Sequence, residues 1–185
     1  AWPEGMTTAA GSWYDKILSN NGKYRVGHSA LILVNAKTFD LEYFDFGRYH
    51  TPIGFGRVRD RETDPNLTLV TKALISKNKI LNINKILLEI SQIKTTYTKG
   101  RLYASVLSEI SFQKGYTYAK HIQNKGALEY GPLIIKGTNC SRFVANVARA
   151  SNPKTITKLR LKYPFCISPS PKRNVSIANN NYYFV

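Results

Sequence analysis

The spacing of apolar positions changes several times along this chain, and each change marks an element. Residues 24–34, YRVGHSALILV, form a dense apolar and β-branched run that predicts a buried strand. NAKTFD is turn-forming, and DLEYFDFG after it predicts a second strand, so 24–46 has the pattern of a hairpin. Residues 47–66, GRYHTPIGFGRVRDRETDPN, interrupt the pattern with Gly, Pro and charge and predict a long loop of the kind that often carries function. LTLVTKALIS, 67–76, fits a strand or a short helix, the strand better. From Asn82 the period becomes helical: Ile83, Ile86, Leu87 and Ile90 recur on one face behind an Asn suited to an N-cap. RLYASVLSEISF (101–112), YTYAKHIQNK (116–125) and TNCSRFVANVARA predict three more helices, and EYGPLIIKG, with Pro132, a loop or short strand. After Ser151 the chain turns rich in Pro, Asn and Ser, which predicts extended or irregular structure. Together these elements predict an α+β fold, a small mostly antiparallel sheet packed against helices. One domain over 1–185 is expected, irregular at 1–20 and 152–185.

Composition narrows the class. A chain of 185 residues with 43% hydrophobic residues can bury a real core and is not disordered in composition. No apolar run is long enough to cross a membrane, and AWPEGMTTAAG lacks the basic-then-apolar pattern of a secretory signal. The expectation is a soluble chain, with export by another route or prior processing left open. Charge is uneven: residues 1–65 hold eight basic and eight acidic residues, whereas 66–185 hold nineteen basic and three acidic ones, Glu89, Glu109 and Glu129. That asymmetry suits an anionic partner such as a cell-wall polymer, a lipid surface or another polyanion. The lysines are scattered singly rather than clustered, which disfavours nucleic acid. A Lys-biased composition alone would produce the same surface.

Two cysteines make no disulfide framework, and no Cys or His pair has metal-ligand spacing, so neither a metal nor another cofactor is expected. Cys140 follows Thr138 and Asn139, either of which can cap a helix, and so falls in a first helical turn. The free N–H groups and partial positive charge there favour a thiolate and can stabilise an oxyanion. Phe143, Val144, Val147 and Ala148 continue an apolar stripe below Cys140, while Ser141, Arg142, Asn146 and Arg149 take the other face. A buried, inert thiol in the core is the competing reading. Cys166, in YPFCISP, has neither a helix start nor a nearby acid and reads as a packed thiol.

Of the three histidines, His28 lies in the first strand after Gly27. If the hairpin turns near Ala36 and Lys37, His28 pairs near Asp45; a one-residue slip presents Glu42 instead. An acid beside the imidazole would fix its tautomer and stabilise its charged form. His50, in the Gly-rich loop, is a candidate for contact with substrate, and His121 reads as a surface residue of a helix.

A strand reading G-H-S-A-L, an acid-bearing strand after it, and T-N-C-S-R-F-V opening a helix far downstream resemble the circularly permuted papain-like hydrolases. These are permuted relatives of NlpC-type cell-wall cysteine peptidases and include the lecithin:retinol acyltransferase-like enzymes. The resemblance covers 24–46 and 137–149. It implies His28 as base, Cys140 as nucleophile and Asp45 as orienter, with Glu42 and Asp40 as alternatives; many relatives use a His or another polar group there. Tyr24, Tyr130, His50 and the loop around Tyr49, Gly54 and Gly56 would then line a substrate groove. The implied chemistry is hydrolysis or transfer at an amide or ester through a thioester, on peptidoglycan peptides, lipids or proteins. The competing function is a non-catalytic basic module docking on an anionic polymer, membrane surface or nucleic acid through 66–185. A structural protein whose Cys and His only fill the core is a third.

Overall fold

The structure, a computed structural model, describes residues 2–3, 19–20, 23–24, 27–96, 101–131, 134–163, 169–179 and 181–185. Its centre is a four-stranded antiparallel sheet in the order β10-β6-β5-β4: β4 is Ala30–Val34, β5 Leu41–Gly47, β6 Phe55–Arg59 and β10 Leu128–Glu129. Short pairs surround it: β1 (Trp2–Pro3), β2 (Ser19–Asn20) and β3 (Lys23–Tyr24) form one sheet, β7 (Ile75–Ser76) pairs with β8 (Lys79–Ile80), and β9 (Tyr103–Ala104) pairs with β11 (Tyr183–Phe184). The helices are α1 (Ile83–Ser91), α2 (Phe112–Gln123), α3 (Cys140–Ala150), α4 (Thr155–Lys162) and α5 (Pro171–Ala178). This is the α+β class the apolar pattern predicts.

β5 is buried along all seven residues because the sheet is covered on both faces. Phe44 and Phe46 point to one side, where Leu33, Val58, Ala119, Phe143 and Val147 complete a core beneath α2 and α3. Leu41 and Tyr43 point to the other, against Leu67, Ala73, Ile86, Leu87 and Ile90 of α1 and the chain leading to it. The apolar residues expected on α1 are the ones it buries.

The hairpin register differs from the expected one by two residues. Ala30 is opposite Asp45 and Val34 opposite Leu41, so the turn centres one residue later, where Asn35 Oδ1 accepts from the N–H groups of Lys37 and Thr38. A two-residue shift keeps every side chain on its own face, which is why the contacts expected across the hairpin survive it. The first strand is also shorter than expected: His28 and Ser29 lead into it rather than lying within it.

Four other expectations change. The loop expected over 47–66 contains β6, a central strand whose Arg57 and Arg59 find carboxylate partners instead of solvent. Only Ile75 and Ser76 of 67–76 form a strand. The helix expected at 101–112 is absent: β9 pairs with β11, Ser105 donates to the Val175 carbonyl, and Ser111 caps α2, which begins at Phe112. Past Ser151 the chain forms α4 and α5 rather than irregular structure. Ser170 accepts from the Arg173 N–H and Pro171 supplies the first turn of α5, while Leu161 and Ile177 pack on Ala145 of α3. The readings of most of 1–20 and of Cys166 lie outside the described residues.

Candidate active site

Cys140 opens α3. Asn139 holds an extended conformation, with φ −137° and ψ 176°, and its side chain accepts from the Arg142 N–H at 2.8 Å, an N-cap as the sequence predicts. The turn before it is held by a parallel bridge between Tyr130 and Thr138: Thr138 N–H donates to the Glu129 carbonyl and Gly131 N–H to the Thr138 carbonyl. Gly137 is required there, since a Cβ would lie 2.2 Å from the Glu129 carbonyl oxygen. The bridge brings Tyr130 to Cys140, where its hydroxyl helps favour the thiolate.

His28 reaches the same thiol from the lead-in to β4. Its Nε2 lies 2.8 Å from Asp45 Oδ2, and its ring interacts electrostatically with Cys140. With Nε2 on the carboxylate, Nδ1 is the nitrogen left for sulfur. The imidazole is 16% exposed and Asp45 is 0% exposed. The thiol, imidazole and carboxylate expected from sequence are therefore in one line. Asp45 is the acid in contact; Glu42 points to the opposite sheet face and pairs with Arg61 at 2.9 Å, and exposed Asp40 pairs with Lys72 at 3.1 Å.

Asp45 is itself held from three sides. Arg59, its direct partner across β5 and β6, donates through Nε to Oδ1 at 2.9 Å and through a terminal nitrogen to Oδ2 at 2.5 Å. Tyr43, two residues along the same face, donates its hydroxyl to Oδ2 at 3.1 Å. The Tyr49 ring covers the Arg59 guanidinium 3.4 Å from its centroid. A buried carboxylate without such partners would be costly; here burial raises its pKa, but His28 and Arg59 hold it below the usual range.

The same balance sets the two reactive groups. Burial works against the charge on His28, but hydrogen bonds and charge from Asp45 and Cys140 outweigh it and raise the pKa to about 9. Burial pushes the Cys140 thiol up, but His28, the Tyr130 hydroxyl and the Ser29 N–H pull it down to about 7. Between these values the pair rests as thiolate and imidazolium. Burial and the adjacent thiolate raise the Tyr130 hydroxyl, so it stays protonated and can donate.

The apolar stripe assigned Ser141 to the outer face of α3, but it is buried, with its Oγ 3.0 Å from Ser29 Oγ and its carbonyl accepting from Asn174 of α5. These contacts fasten the start of α3 to the His28 segment and to the C-terminal helices, which cover the face expected to meet solvent. Of the groove residues, Tyr130 is at the thiol and stacks on Phe46 with centroids 5.7 Å apart. His50 is exposed with φ 54°, and Tyr24 lies in β3, in the separate three-stranded sheet. His121 is exposed on α2, as expected. Sequence reasoning missed Arg59, Tyr43, Ser29 and Ser141. The alternation in F-G-R-V-R, with Arg59 at a strand-facing position, was the available signal for Arg59. Among the described residues no three His, Cys, Asp or Glu side chains cluster to hold a metal ion.

Residues 1–156 match the family described as type VI secretion system effector TseH-like. The chain belongs to that family. Comparison with curated protein sequences gives no match. Among solved structures, the crystal structure of the type VI secretion system effector TseH is similar, with a TM-score of 0.54 and 21% identity over 85% of this chain and 87% of that one. At that identity the likeness is one of fold. No helix among the described residues is long and apolar enough to cross a membrane.

Proposed function

We propose that this TseH-like chain is a cysteine hydrolase or acyltransferase that cleaves an amide or ester through a thioester on Cys140. The observation that carries the proposal is the contact line Cys140–His28–Asp45, with the thiol at the start of α3. The Cys140 thiolate attacks the carbonyl carbon, and negative charge passes to the carbonyl oxygen. The donors available to that oxygen are the N–H groups at the start of α3, including that of Cys140. His28, protonated on Nδ1, gives its proton to the leaving nitrogen or oxygen as the carbonyl re-forms. It then takes a proton from the incoming water or acyl acceptor, which displaces the sulfur. Asp45 keeps Nε2–H oriented and stabilises the imidazolium, and Arg59 and Tyr43 keep Asp45 ionised and fixed.

The order of a His leading into a strand, a strand-borne acid, then a helix-opening Cys supports a permuted papain-like arrangement. Membership in a family of secretion system effectors supports a delivered activity. The excess of basic residues over 66–185 supports action at an anionic polymer, cell wall or lipid surface. The test is incubation with isolated peptidoglycan, phospholipid vesicles and acyl esters, followed by mass spectrometry of the Cys140 peptide and of the products. An acyl mass on Cys140, with product formation lost in Cys140→Ala, is expected. Products unchanged by Cys140→Ala would overturn the proposal.

A further inference from the structure

Segment 47–66 carries four arginines, and three of them face carboxylates. Arg57 is bidentate on Asp64, Arg59 is bidentate on Asp45, and Arg61 pairs with Glu42. Arg48 is the exception. Its Nε is buried without a hydrogen-bond partner, and its guanidinium lies over the Tyr130 ring, 4.7 Å from the centroid. Burial works against its charge, and among the described residues no carboxylate pairs with it. A buried guanidinium nitrogen left unpaired is unusual and costly unless something else binds there.

Its position says what that something is. The hydroxyl of the same tyrosine interacts with Cys140. Arg48 therefore packs on the same tyrosine whose hydroxyl meets the sulfur, and it follows Gly47, the last residue of β5. Resting on the proposed thiol chemistry, we infer that Arg48 is a specificity residue, and that the substrate carries a carboxylate several bonds from the carbonyl that Cys140 attacks. A planar, half-buried guanidinium without a carboxylate partner among the described residues matches a carboxylate in geometry and charge. Stacking on Tyr130 keeps the fork fixed before substrate arrives, so less freedom is lost on binding.

The probe is a set of N-iodoacetyl ω-amino acids of increasing chain length, each paired with its neutral amide. Alkylation of Cys140 is followed by mass spectrometry in wild type, Arg48→Gln, Arg48→Lys and Lys125→Gln, the last removing an equal charge from an exposed site. In wild type, at one or more chain lengths, the acid is expected to react faster than its amide by about tenfold. That acid-to-amide ratio should collapse in Arg48→Gln, recover in part in Arg48→Lys, and stay at the wild-type value in Lys125→Gln. Equal ratios in wild type and Arg48→Gln, with a reactive thiol, would overturn the Arg48 assignment alone. A Cys140 inert to every reagent would overturn the thiol chemistry and the assignment with it.

Discussion

Arg59 and Asp45 face each other directly across β5 and β6 and are joined by two hydrogen bonds, with side chains 1% and 0% exposed. The pair lies one step behind the proposed catalytic residues. Its carboxylate binds His28 on one side and Arg59 on the other, so the sheet that builds the core also fixes the imidazole. Arg59→Met leaves Asp45 buried with fewer partners. It should cost about 3–5 kcal/mol, the usual penalty for breaking a buried pair from one side. Urea unfolding monitored by circular dichroism measures this, and a loss below 1 kcal/mol would contradict the pairing.

Acid should act at the same place. Asp45 titrates lower in the folded chain than in the unfolded one, so its stabilisation is fully present above about pH 4 and is lost as pH falls through the lower folded value. Asp45→Asn should therefore unfold with a shallower dependence on pH below 4 than wild type. Urea midpoints between pH 2.5 and 5 test this, and identical slopes would show that Asp45 does not contribute.

Tyr130→Phe removes one donor from the sulfur while keeping the ring that stacks on Phe46 and lies under Arg48. The thiolate is then held by one partner fewer, so the midpoint of Cys140 alkylation should move above pH 7. Stability should change by about 1 kcal/mol or less. An unmoved midpoint would place Tyr130 outside the site's electrostatics.

Gly137→Ala should damage the site through the backbone. Its Cβ would meet the Glu129 carbonyl at 2.2 Å and force apart the bridge that delivers Cys140. A loss of roughly 1–3 kcal/mol is expected, as for other overpacked positions, together with slower alkylation of Cys140. Wild-type stability and reactivity would show that the close approach is not needed.

The parts of this site legible in sequence were those with a local signal. G-T-N-C-S before an apolar stripe marked the cap and the thiol, and alternation in D-L-E-Y-F-D-F-G put Asp45 on the His28 side of the sheet. Even with the turn placed one residue early, parity preserved the contact. β6 was hidden because its glycine and two arginines read as loop, and the acid that buries Arg59 lies on β5. α4 and α5 were hidden behind a Pro- and Ser-rich composition that reads as loop until Ser170 is seen as a cap. The strand at Tyr103 depends on Tyr183 and Phe184, eighty residues away, and no local pattern could show it.

The most direct test is the pH dependence of Cys140 alkylation by iodoacetamide, resolved by site, in wild type and His28→Ala. Deprotonation near pH 7 should make Cys140 reactive from about that pH upward in the native protein. In His28→Ala the sulfur loses its largest stabilising partner, and the midpoint should rise well above 8. Turnover, once a substrate is found, should rise through about 7 and fall through about 9 as the imidazolium loses its proton. A Cys140 that stays inert until the chain unfolds, or reacts alike with and without His28, would contradict the thiolate–imidazolium pair.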